Sequence, residues 1–74
     1  MKPAITKKAI AANIEALGHV LDDAMLRTSE ANMAIQNGEQ NQAIGALLDL
    51  DRHLEDALAL YRAAIALHRA GRAS

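Results

Sequence analysis

The sequence has no cysteine, no tryptophan and no phenylalanine, and only one tyrosine and one proline. Without cysteine there is no disulfide to staple the fold and no thiolate to hold a metal. Without large aromatics there is no stacking platform for bases and little bulk for a core. Glycine is also scarce, with four residues, and Asn37-Gly38 is the one clear turn signal. No Gly-rich phosphate loop is present. No apolar run approaches the ~18 residues of a membrane span. The opening stretch, MKPAITKKAIAANIEAL, lacks the uninterrupted apolar core of a secretory signal. A cytoplasmic protein is the expectation. The formal charge is −1, so no overall excess draws the chain to nucleic acid or to an anionic membrane.

What is present is alanine and leucine. Seventeen alanines, ten leucines, six isoleucines, three methionines and one valine fill half of the 74 positions. Scarce Gly and Pro with abundant Ala and Leu point to an all-α protein. Seventy-four residues make a single domain, 1–74. A core in a chain this short supplies about 3–5 kcal/mol and commonly needs a staple. With disulfides excluded, association with another copy is the staple left.

The stretch Ala43–His68 carries the strongest pattern. Leu47, Leu54, Tyr61 and His68 recur every seven residues, as do Ala43, Leu50, Ala57 and Ala64. Together they form a seam of alternating three- and four-residue steps, the mark of a helix packed lengthwise on others. Ile44, Leu58 and Ile65 widen the stripe on one side, and Ala46, Leu60 and Leu67 on the other. A stripe this wide touches two neighbours, which predicts a bundle. The first half repeats the scheme, with Ile14, Leu21, Thr28 and Ile35 in one series and Ile10, Leu17, Ala24 and Ala31 in the other. The register passes through Thr28 intact, so one continuous helix is expected there. Gly18, within this helix, is read as permitting a close helix approach. The predicted elements are a helix over 3–36, a turn at 37–38 and a helix over 39–70, with Gly71 as its stop. The two halves also resemble each other at an offset of 33 (Leu21-Asp22-Asp23-Ala24-Met25 against Leu54-Glu55-Asp56-Ala57-Leu58), as two helices facing one core would. The expected fold is a long antiparallel helical hairpin dimerising into a four-helix bundle, a Rop-like architecture.

Leu54-x-x-Ala57-Leu58-x-x-Tyr61-x-x-Ala64-Ile65 resembles the second helix of a tetratricopeptide repeat, and Gly38-Glu39-x-x-x-Ala43-Ile44 extends the likeness. The preceding helix lacks that family's large aromatic and Leu-Gly pattern. Such arrays also need about three repeats, so the resemblance implies no residue roles.

Several constellations carry chemistry of their own. With the turn at 37–38, residue i lies level with about 75 − i. This places His19 near Asp56, Asp22 near His53 and Asp23 near Arg52. Carboxylates and imidazoles at such spacing (His19, Asp22, His53, Asp56) form a candidate metal set. The Glu-x-x-His spacing of di-iron bundles is absent. Lys2, Lys7, Lys8, Arg62, Arg69 and Arg72 all fall at the end where the termini meet. Of these, Lys7, Lys8, Arg69 and Arg72 are the candidates for gripping nucleic-acid phosphates. Leu26, Met33 and Leu48 sit at solvent-facing phases and form a candidate patch for another protein. Leu17, Leu21, Leu47, Leu54, Leu58 and Tyr61 are the expected dimer core. Thr28, Ser29 and Ser74 have no base at a recognisable spacing, so no catalytic constellation and no cofactor are expected. The function predicted is that of a small non-enzymatic helical interaction protein, with itself and another protein as partners. Nucleic-acid binding and a bundle metal site are the alternatives.

Overall fold

In the computed structural model, residues 3–73 are described; Lys2 and Ser74, named above, lie outside them. The described residues form three helices, α1 (Pro3–Gln36), α2 (Gln40–Leu48) and α3 (Leu50–Ala73), and no strand. Helix α1 runs up one arm, and α2 and α3 return along it as a hairpin.

Pro3 opens α1, where its missing N–H is not needed. The helix crosses Thr28 unbroken; the threonine hydroxyl donates to the carbonyl of Ala24 at 2.9 Å, back within its own helix, and so caps no new helix start. It ends at the turn signal. Gly38 takes φ +78°, the amide of Glu39 donates to the Ala34 carbonyl at 2.9 Å, and that of Gly38 donates to Ile35 at 3.1 Å. This is the Schellman closure, and it satisfies carbonyls that the helix end leaves free. Glu39 precedes α2, with no side-chain cap. A side chain at position 38 would force an L-residue into the left-handed region. Gly38→Ala is therefore expected to lower unfolding free energy by about 1 kcal/mol in urea titrations. An unchanged midpoint would show that the turn is not held in this conformation.

The returning arm departs from the expected single helix in two ways. It is divided at Asp49, whose backbone stays right-handed helical (φ −66°, ψ −20°). At this point His53 Nδ1 donates to the Asp49 carbonyl at 2.9 Å, and the Asp49 amide reaches the Gly45 carbonyl at 3.3 Å. The arm also runs past Gly71 to Ala73. Gly71 serves as a contact instead: a Cβ on it would lie 3.3 Å from Thr6 Cγ2. Gly18 has nothing within 4 Å of where its Cβ would be, so no close approach inside the hairpin explains it.

Between the arms the packing is made by small residues. The buried apolar residues are Ala24, Ala31, Ala34, Ala43 and Ala57, and no large side chain is fully buried among the described residues. Across the hairpin Leu17 lies about level with Ala57 and Ala24 with Leu50, small against large, while Ala31 lies about level with Ala43, small against small. The molecule is long and thin, 55 × 14 × 12 Å, with a radius of gyration of 16.8 Å. A compact chain of this length would have a radius of about 11 Å.

Candidate functional site

The seam read from the sequence divides into two. In each arm one seven-residue series faces inward. It is Ile10, Leu17, Ala24 and Ala31 in α1, and Ala43, Leu50, Ala57 and Ala64 in α2 and α3; all eight are buried or half-buried. The other series stands four residues further on: Ile14, Leu21, Thr28 and Ile35 in one arm, Leu47, Leu54, Tyr61 and His68 in the other. All of these are exposed. Both arms are right-handed and they run antiparallel, so the same offset of four falls on the same side of each. Met25, Ile44 and Leu58 adjoin that side.

The result is one open face bearing nine large apolar side chains: Ile14, Leu21, Met25, Ile35, Ile44, Leu47, Leu54, Leu58 and Tyr61. Each is between 45% and 67% exposed. Five of the six residues expected in a dimer core (Leu21, Leu47, Leu54, Leu58, Tyr61) stand in it, and Leu17 is half-buried beneath. Soluble monomers rarely expose so continuous an apolar surface. Ile14, Met25, Ile35 and Ile44 complete the face outside the six expected core residues. Heptad phase is the signal that places them there.

At the termini end the open face runs into a depression lined by Pro3, Thr6, Lys7, Ile10, His68, Gly71 and Arg72. Lys7 lies one heptad before Ile14, and His68 one heptad after Tyr61. Of the four candidate phosphate-binding residues, Lys7 and Arg72 are thus brought together. Lys8 and Arg69 are exposed on outward-facing series and stand apart from the depression.

The candidate metal residues are not gathered. Among the described residues, no three His, Asp or Glu side chains converge where they could hold an ion. His53 is held by the Asp49 carbonyl, and His19 faces Glu15 of its own helix at 3.9 Å. The candidate partner residues are exposed, Leu26 at 57%, Met33 at 65% and Leu48 at 70%. They line different places. Met33 borders a depression with Glu30, Asn37 and Gln42. Leu48 borders another with Arg27, Asp51 and Arg52. Arg27 and Glu30 form an ion pair at 3.0 Å between the two.

Fold and surface together define an amphipathic α-helical hairpin with one face of its apolar stripe uncovered. Comparison with protein families, with curated proteins and with solved structures gives no match to this chain. Among the described residues no helix is long and apolar enough to cross a membrane.

Proposed function

We propose that this is a small non-enzymatic interaction protein that works as a homodimer, two hairpins joining by their open faces into a four-helix bundle. The observation that carries the reading is the contrast between the two seams: the buried apolar residues are all alanines, while nine large apolar side chains stand exposed on one face. An alanine seam alone leaves most of the chain's apolar surface in water, at roughly 25 cal/mol per Å².

The area agrees with this. The chain exposes 5733 Å². A compact monomer of 7.9 kDa would expose about 4400 Å². The excess, about 1300 Å², exceeds the ~800 Å² per partner that a stable interface buries. In the dimer, Leu26, Met33 and Leu48 stay outside the bundle, and they are the surface offered to a different protein.

Sedimentation equilibrium tests the reading. At micromolar concentration the wild-type protein is expected at twice its chain mass and highly helical. A folded monomer under those conditions overturns it.

A further inference from the structure

We infer that the second copy docks antiparallel, with its turn seated on the basic end of this chain's open face. The inference rests on the dimer reading above and specifies its geometry.

The hairpin is electrically polar along its length. In its termini half, residues 3–19 and 56–72, Lys7, Lys8, Arg62, Arg69 and Arg72 stand against Glu15 and Asp56, a net charge of +3. In its turn half, residues 20–55, seven acids stand against Arg27 and Arg52, a net −5. The acids are Asp22, Asp23, Glu30, Glu39, Asp49, Asp51 and Glu55. A two-fold dimer can join equal faces with the turns together or with the turns opposed. With the turns together, one end of the bundle collects +6 and the other −10. With the turns opposed, each +3 end lies beside a −5 end. Screening limits such effects to roughly 8 Å at physiological ionic strength, so the decision falls to the groups in contact at each end.

Those contacts favour the same arrangement. The depression at the termini end is lined by the apolar Pro3 and Ile10, by Thr6, and by the cationic Lys7 and Arg72 with His68. Among the described residues no acidic side chain lines it. With the turns together, two cation-lined depressions would face each other. With the turns opposed, the level of Thr6 meets about the level of residue 33 in the second copy. There the open face presents Ile35 and Ile44, half exposed, with Glu39 just beyond. Apolar side chains then meet Pro3 and Ile10, and a carboxylate meets Lys7 and Arg72.

The absence of cysteine allows single labels. Asn37→Cys places a spin label in the turn and Ala70→Cys one at the other end; both positions are exposed. The ends lie about 50 Å apart at 1.5 Å per residue. Mixing the two labelled proteins is expected to give an intersubunit distance under about 30 Å, with the Asn37 pair beyond about 40 Å. Asn37 labels lying close together, in a sample sedimenting as a dimer, overturn the antiparallel arrangement and leave the dimer reading standing. A sample that sediments as monomer and gives no intersubunit signal overturns both. Lys7→Glu combined with Arg72→Glu is expected to weaken dimerisation about tenfold at low salt and much less at high salt. Undiminished affinity at low salt removes the electrostatic seat.

Discussion

Replacing Leu54 by aspartate is expected to unfold the protein rather than release a folded monomer. In the single hairpin Leu54 is 56% exposed. If that hairpin were the working form, a polar residue there would change stability by no more than about 0.5 kcal/mol. In the bundle, position 54 lies mid-face, near the centre of four helices, with Leu21 at its level and Leu58 one turn on. A carboxylate buried there without a partner is opposed by several kcal/mol. The whole chain commands only about 3–5 kcal/mol. The two readings therefore differ by the entire stability of the molecule. Loss of far-UV helicity at room temperature is the expected result. A variant that melts within a few degrees of wild type would show that the open face is not core.

Enlarging the alanine seam has the second largest expected effect. Ala43 is 4% exposed, the most buried apolar residue among those described, and lies level with Ala31. Leucine matches alanine closely in helix propensity, so Ala43→Leu tests packing rather than helix formation. Three added carbons between two alanine-lined helices must push the arms apart or strain the side chain. Overpacking of this kind lowers stability by about 1–3 kcal/mol. Ala59→Leu, the same change at an exposed position, is the control and is expected to be near neutral. Equal urea midpoints for the two variants would mean that the arms are not closely packed at Ala43.

Much of the arrangement was legible in the residues, for identifiable reasons. Asn37-Gly38 located the turn because only glycine enters the left-handed region without penalty, and Gly38 does so. The unbroken register through Thr28 indicated a continuous α1, and the Thr28 hydroxyl turns back to the Ala24 carbonyl of the same helix. The division at Asp49 was not legible. No Gly, Pro or change of heptad phase marks that position, so nothing in the local pattern specifies it. Gly71 read as a stop signal because glycine commonly ends helices. Its close approach to Thr6 is a contact between residues 65 positions apart, and no local pattern encodes it.

The candidate sites divide in the same way. Heptad phase named most of the open face, since phase is a property of a single helix. It could not gather a metal site, because convergence of His19, Asp22, His53 and Asp56 requires particular side-chain directions across the hairpin. It placed the basic residues at one end, but not the depression that joins Lys7, His68 and Arg72.

By itself the sequence determined the helices, the turn between them and the existence of two apolar series four residues apart in each arm, because these follow from backbone preference and a 3.6-residue period. It did not determine which series would face the other arm. The tertiary structure decided that: the inner series holds all four of the buried alanines that belong to either seam, Ala24, Ala31, Ala43 and Ala57, since two helices approach closely only where side chains are small. The outer series holds no alanine, and its Ile14, Leu21, Ile35, Leu47, Leu54 and Tyr61 are left on the open face.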